Sequence, residues 1–209
     1  MLNINHLRID IGKGTRLSTD AYQRDFRLND EKIIGRNGWK LERKQHFEEP
    51  GSPSWEAFQR GNWSEALQLA QKKRELWAKV AQEDARRKSI FHRVRVVEEP
   101  LTPYMQWELH ALRVQGDSGM PVRVLNAEAI KSYEGSEPLP EIVTLGGKVL
   151  YQVLYTEAGI LDGAIRFTDL DLVRNWEILI NEFYENSEDV VSYVDRYVAH
   201  LPAPQMKGE

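Results

Sequence analysis

The segment 141–167 constrains the fold most strongly, because it holds three short apolar runs separated by glycine-containing turns. The runs EIVTL and KVLYQVLYT flank Gly146 and Gly147, and adjacent glycines supply the positive φ angles that tight hairpin turns require. A second turn at Ala158 and Gly159 leads into a third run, ILDGAIRF. The pattern predicts a three-stranded antiparallel meander, and therefore a sheet whose strands run mostly antiparallel.

Helices are indicated by capping residues followed by apolar residues at three- and four-residue intervals. In the first helix, Asn62 and Glu65 form a capping-box pattern, and the apolar periodicity extends to about Lys88. In the second, Thr102 is a suitable N-cap and Pro103 suits the first helical position. The four predicted helices begin near Asn62, Thr102, Asp169 and Ser187.

Three further segments show the alternation of apolar and polar residues that is typical of strands. FHRVRVV at 91–97 alternates throughout, and PVRVL at 121–125 is a shorter strand. WKLERKQHF at 39–47 alternates only at its start, which predicts an edge strand. Together these elements predict an α+β fold with a mostly antiparallel sheet and a C-terminal three-stranded meander, packed by about four helices.

The domain organisation follows from where this periodicity begins and ends. Residues 1–38 contain four glycines between short apolar pieces and are predicted to be a loosely organised N-terminal segment. Residues 39–200 are predicted to form a single α+β domain, a length that is sufficient to bury a core. Residues 201–209 are predicted to be a flexible tail.

Composition excludes several classes of function. The absence of cysteine rules out disulfide scaffolds, cysteine-ligated metal centres and cysteine nucleophiles. The five histidines are scattered without metal-binding spacing, so neither a metal nor a cofactor is expected. No stretch approaches the roughly 20 apolar residues of a membrane-spanning helix. The N-terminal sequence lacks the pattern of a signal peptide, so a cytoplasmic location is expected.

Two short motifs resemble catalytic or phosphate-binding sequences but fail on context. Residues 116–119 spell GDSG, yet a serine nucleophile also needs a histidine base, an aspartate and an oxyanion hole. Residues 12–15 spell GKGT, but the first glycine of a phosphate-binding loop is missing and a second glycine follows the lysine. No catalytic residue is therefore predicted.

Charge is unevenly divided along the chain. Residues 1–97 hold 20 Lys and Arg against 13 Asp and Glu, whereas residues 98–209 hold 8 against 19. Such a split is typical of a nucleic-acid-binding face, of two halves that neutralise each other, or of oppositely charged faces that meet in a homodimer. The nucleic-acid hypothesis rests on the basic region 72–95, and its candidate residues are Lys72, Lys73, Arg86, Arg87 and Lys88. Because these cations surround the predicted helix instead of forming one stripe, a solvated surface is the favoured interpretation.

The sequence RVRVVEEPLTPYMQWEL, residues 93–109, combines charge, aromatic rings and a strand-to-helix turn. Arginines on adjacent strands and nearby glutamates can form a structural ion-pair network, or they can line a small anionic pocket with aromatic walls. The candidate ligand-binding residues are Arg93, Arg95, Glu98, Tyr104, Trp107, Glu108 and Arg123.

These residues also carry a resemblance. The pattern RVRVV-x-EPLT-x-Y-x-x-WEL resembles the signature of an uncharacterised actinobacterial family of unknown function, whose members are often encoded beside helix-turn-helix regulators. The resemblance implies a regulatory or accessory context, with such a regulator as a possible protein partner, and it supplies no catalytic residues. We therefore expect a non-enzymatic binding module for a protein partner or a small anionic ligand. A metal-independent biosynthetic enzyme and a nucleic-acid binder are the alternatives.

Overall fold

A computed structural model describes residues 7–205 and shows an α+β fold with seven α-helices and one eight-stranded mixed sheet in that range. Short 3-10 helices also occur at Ile11–Lys13 and Ala127–Tyr133. In chain order the elements are β1 (Thr15–Leu17), α1 (Thr19–Asp30), β2 (Gly38–Glu42), α2 (Pro53–Gln59), α3 (Trp63–Gln71), α4 (Arg74–Arg87), β3 (Phe91–Val97), α5 (Pro103–Asp117), β4 (Val122–Asn126), β5 (Ile142–Leu145), β6 (Val149–Tyr155), β7 (Leu161–Phe167), α6 (Leu170–Glu185), β8 (Glu188–Asp189) and α7 (Val190–Tyr197).

The strands lie in the order β1-β7-β6-β5-β2-β3-β4-β8. Five of the seven neighbouring pairs are antiparallel, which confirms the prediction of a mostly antiparallel sheet. The parallel pairs are β2–β3 and β3–β4. Strands β5, β6 and β7 are antiparallel neighbours inside this larger sheet, and Gly146 and Gly147 both adopt positive φ in their first turn. These three strands do not end the described chain, because α6, β8 and α7 follow β7.

The prediction of about four helices is wrong, because residues 7–205 contain seven. The helix predicted from Asn62 to Lys88 is two helices, α3 and α4, interrupted at Lys72 and Lys73. The break lets α3 bury Ala66 and Ala70 while α4 turns a different face towards the sheet. The short helices α1 and α2 were not predicted, since packing stabilises such helices more than sequence propensity does.

The segment 1–38 contains β1 and the twelve-residue helix α1, capped by Ser18. Strand β1 pairs with β7, and the rings of Tyr22 and Phe26 in α1 pack against Tyr151 of β6. The N-terminal segment thus contributes to one edge and one face of the sheet, while the predicted division into 1–38, 39–200 and 201–209 stays a prediction.

The prediction that residues 39–47 form an edge strand is wrong. Strand β2 ends at Glu42 and lies in the interior of the sheet, with β5 on one side and β3 on the other. Its alternating pattern suggested that one face was exposed to water. Helices cover both faces instead, so the polar residues of β2 are also taken out of solvent.

The two faces of the sheet have different partners. Helix α6 packs Val173, Trp176, Leu179 and Phe183 against one face and forms a single apolar core there. The other face carries three smaller apolar clusters, around α5 and α7, around α1, and around α2, α3 and the start of α5. The candidate site lies on this second face, over β2 and β3.

Candidate functional site

Four charged side chains lie side by side on the second face of the sheet, and we call them the charged seam: Lys40, Glu42, Arg93 and Arg95. The parallel register of β2 and β3 sets Lys40 beside Arg93 and Glu42 beside Arg95, all on one face. The flanking strands are apolar on that face, with Val143 next to Lys40 and Val124 next to Arg95.

Ion pairs link the residues of the charged seam to one another and to helix α5. Lys40 Nζ lies 2.5 Å from Glu42 Oε1, and Arg93 Nε lies 3.6 Å from Glu42 Oε2. Arg95 Nε donates to Glu108 Oε2 at 2.7 Å. Arg95, Glu42 and Glu108 are 0%, 4% and 6% exposed, respectively. Because these charges are withdrawn from water, their interactions are much stronger than those of surface pairs.

Burial and neighbouring charges shift the pKa values of the carboxylates in opposite directions. Burial alone would raise the pKa of Glu42, but the charges of Arg93, Lys40 and Arg95 outweigh it and lower the pKa to about 2. Burial raises the pKa of Glu108, and the ion pair with Arg95 opposes this rise. Burial also raises the pKa of Glu49, with Lys40 opposing. One carboxylate of this group is therefore fixed as an anion, while two others are held less firmly in the charged form.

A cavity of about 290 Å³ opens between the charged seam and helices α2 to α5. Its charged lining is balanced, with three cations and three carboxylates. These residues are Lys40, Lys73, Arg93, Glu42, Glu49 and Glu108. The neutral polar groups of the lining are Ser52, Ser54 and Gln115, and Trp107 forms part of the wall.

Hydrogen bonds hold the aromatic wall in place. Trp107 Nε1 donates to Ser54 Oγ at 3.0 Å, and the Ser54 hydroxyl donates to the carbonyl of Ala66 at 2.7 Å. Tyr104 is buried, and its hydroxyl donates to Glu49 Oε1 at 3.3 Å. Residues of α2, α3 and α5 are linked in this way, so the wall is preorganised by the fold.

The structure brings together five of the seven sequence-predicted ligand residues. Arg93, Trp107 and Glu108 line the cavity. Arg95 supports it through the ion pair with Glu108, and Tyr104 supports it through Glu49.

Glu98 and Arg123 lie elsewhere. Glu98 accepts from Arg43 Nη1 at 2.6 Å. Arg123 lies on the opposite face of the sheet, where its Nη1 donates to the carbonyl of Tyr184 at 3.0 Å and its guanidinium covers the Tyr184 ring at 4.4 Å. The proximity of Arg123 to Arg93 and Arg95 that was expected from adjacent strands is therefore wrong, because the register sets Arg123 beside Val94.

The five candidate nucleic-acid residues do not share one surface. Lys73 lines the cavity, and Arg87 is engaged with Asp30 and Asp84. Lys72, Arg86 and Lys88 are exposed, and Arg86 forms an ion pair with Glu83. The cations are thus divided between a cavity, an internal ion-pair cluster and solvent.

Sequence reasoning missed Lys40, Glu42 and Glu49. Lys40 and Glu42 alternate with Trp39 and Leu41, and that alternation was interpreted as one solvent-facing side. The signal that would have identified them is the assignment of β2 to the interior of the sheet, which depends on its pairing with β3 about 50 residues later. Glu49 lies in a loop and carries no comparable signal.

Among residues 7–205, no group of three or more His, Asp or Glu side chains is arranged to hold a metal ion. Within the same range, every helix is too short or too polar to cross a bilayer.

Comparison with models of known protein families gives a match. A family model described as a domain of unknown function (DUF6879) matches residues 31–195, a range that contains all the residues that line the cavity. No curated protein and no solved structure matches the chain.

Proposed function

This chain belongs to the family described as a domain of unknown function (DUF6879), and we propose that it is a non-enzymatic binding module for a small anionic ligand. The proposal rests on the four side chains of the charged seam. Four charges occupy two adjacent interior strands beside a 290 Å³ cavity, on a face whose flanking strands are apolar.

Stability alone is a weak reason for these charges. Withdrawing an ion pair from water costs about as much as the pair returns, and apolar replacements of similar volume are often neutral or stabilising. If stability were the only requirement, β2 and β3 would be expected to carry apolar residues on this face, as β4 and β5 do with their valines. A requirement for binding explains why charged residues occupy these positions.

Two cations at the cavity are incompletely paired, and this favours an anion. In the described part of the chain, the guanidinium of Arg93 makes no hydrogen bond and has one ion-pair partner, Glu42 at 3.6 Å. The ammonium group of Lys73 has no carboxylate within 4 Å among the same residues. An anionic ligand would give both groups charge-assisted hydrogen bonds, which are stronger than bonds between neutral groups.

A regulatory or accessory role requires that a protein partner detects whether the cavity is occupied. The family resemblance suggests a helix-turn-helix regulator as that partner.

A metal-independent enzyme is the second candidate, because Glu49 and Glu108 line the cavity and burial raises the pKa of both, as in many acid–base sites. Nucleic-acid binding is not proposed, since the cations on which it would depend are divided among three environments.

The proposal is tested by an NMR titration of the full chain with sodium acetate, against sodium chloride at equal ionic strength. Acetate is expected to cause saturable amide shifts near Arg93 and Lys73. Arg93→Gln should abolish these shifts, whereas Arg86→Gln, which removes an exposed arginine outside the cavity lining, should preserve them. Shifts that do not saturate, or that survive Arg93→Gln unchanged, would overturn the proposal.

A further inference from the structure

A second cavity, of about 460 Å³, adjoins the charged one and shares Trp77, Arg93 and Gln115 with it. Its walls are mostly apolar and come from α1, α4, β3 and β4. The apolar side chains that line it are Phe26, Trp77, Val80, Phe91, Met120 and Val122. Arg93 therefore lies where the charged cavity meets the apolar one.

Three of the six charged residues at the apolar cavity, Asp30, Asp84 and Arg87, pair with one another. Arg87 Nη2 lies 2.7 Å from Asp84 Oδ1 and 3.3 Å from Asp30 Oδ2, and Arg87 also donates to the backbone carbonyl of Asp30. This cluster lies away from the charged seam, and its one cation is already paired with two carboxylates. Arg93 is therefore the cation best placed to bind an anion at the boundary between the two cavities.

We infer that the ligand is an amphipathic carboxylate, with its anionic group at Arg93 and Lys73 and an aromatic or branched apolar body in the second cavity. This inference rests on the proposed function and specifies the class of ligand. Both cavity volumes are close to or within the range of about 300 to 1,000 Å³ that is typical of small-molecule sites.

The charge balance favours a monoanion. The charged cavity already contains three carboxylates, and Glu42 is an anion throughout the neutral pH range because its pKa is about 2. A doubly charged phosphate would meet more repulsion from these groups than a singly charged carboxylate. Arginine binds a carboxylate through two parallel hydrogen bonds, and the Arg93 guanidinium has its donors available.

The aromatic lining favours a ligand with a flat apolar body. The rings of Phe26 and Phe91 contact each other edge to face, with centroids 6.1 Å apart, and Trp77 is half-buried between the two cavities. Offset or edge-to-face contacts with a bound ring would add to the gain from apolar burial. Phe26 belongs to α1, which precedes the residues that match the family model.

The inference is tested by isothermal titration calorimetry with three probes: 2-naphthoate, the neutral 2-naphthamide and acetate. We expect 2-naphthoate to bind at least roughly tenfold more tightly than either of the others, because only it satisfies both compartments. Val80→Asn changes a residue that lines the apolar cavity alone, and it should weaken 2-naphthoate while leaving acetate unchanged. Leu76→Asn, at an exposed position of the same helix, is the matched control.

The outcomes separate this inference from the proposed function. If acetate and 2-naphthoate bind equally and both are lost in Arg93→Gln, the anion site stands and the apolar extension is overturned. If 2-naphthamide binds as tightly as 2-naphthoate, the coupling to Arg93 is overturned. If no probe shows binding that depends on Arg93, the proposed function fails and the inference fails with it. Should Val80→Asn not fold, the isosteric Val80→Thr variant tests the same contact.

Discussion

The two faces of strands β2 and β3 differ sharply, although the same ten or so residues form both. On one face Trp39, Leu41, Val94 and Val96 are buried in a single apolar core under α6. On the other face the alternating positions hold the charged seam, and the helices above it leave a cavity. Both faces are covered, so exposure to water does not explain why one of them is charged.

The comparison indicates that the two faces serve different purposes. Apolar side chains packed under α6 contribute to folding in proportion to the area that they bury. The charged seam contributes little net stability, because its desolvation offsets its attraction. Mutations on the first face should therefore lower stability without altering binding. Mutations at Arg93 should mainly weaken binding.

The largest expected effect is at the Arg95–Glu108 pair. Arg95→Met leaves Glu108 as an uncompensated buried charge and removes a donor from the carbonyls of Glu42 and Val96, so it should lower the free energy of unfolding by roughly 3–5 kcal/mol. Adding Glu108→Leu removes the stranded charge. The double variant should therefore recover at least about 2 kcal/mol of that loss in urea unfolding. If the double variant is no more stable than the single one, the charged seam is itself a source of stability. That result would contradict the claim that only the apolar face stabilises the fold.

A pair of single substitutions sharpens the contrast between the faces. Leu41→Ala removes a fully buried side chain from the core under α6, and it should cost roughly 3–4 kcal/mol while leaving acetate binding intact. Arg93→Gln removes a cation 3.6 Å from the buried Glu42, which keeps Lys40 and Arg95 as neighbours, so it should cost about 1–2 kcal/mol while abolishing acetate binding. Urea unfolding and the acetate titration measure both quantities. Equal losses of stability for the two variants would contradict the division of roles.

Local features of the fold were predictable from the sequence. The strand 91–97 was predicted from its alternation and is β3. Thr102 accepts a hydrogen bond from the backbone of Met105, and Asp169 accepts one from the backbone of Leu172, as N-caps do. These features depend on interactions within four residues of the chain, so a single sequence contains the information needed to find them.

Pairing between distant strands was not predictable in the same way. Arg123 was grouped with Arg93 and Arg95 because all three lie on neighbouring strands. The parallel register instead sets Arg123 beside Val94, and a shift of one residue moves a side chain to the other face of a sheet. For the same reason the partners of Glu42 could not be identified, since they depend on the register between β2 and β3.

A pH-dependent effect is expected at Glu141, which directly precedes β5 and lies beside the end of β2, where the polar region continues beyond the charged seam. Glu141 Oε1 accepts from the backbone N–H groups of Arg43 at 2.9 Å and Lys44 at 2.7 Å. Burial raises the pKa of Glu141 to about 7, although Arg95 and these two hydrogen bonds oppose the rise. Its other carboxylate oxygen is buried and has no hydrogen-bond partner among residues 7–205.

The folded chain therefore retains a proton on Glu141 at pH values where the unfolded chain has lost it. Above the ordinary glutamate pKa, the unfolded state binds fewer protons than the folded state, so the free energy of unfolding must fall as pH rises. The contribution is complete below about pH 4.5 and is lost as pH rises through about 7, with a total on the order of 3 kcal/mol. Glu141→Gln keeps the shape and an acceptor for the two N–H groups but cannot ionise. We expect its urea midpoint to fall less steeply than that of the native chain between pH 5 and pH 8. The difference between the two curves isolates the contribution of Glu141 from those of all other groups in the chain. Parallel curves would mean that Glu141 ionises as easily as an exposed glutamate, and that the polar face is more open to water at this end than over the charged seam.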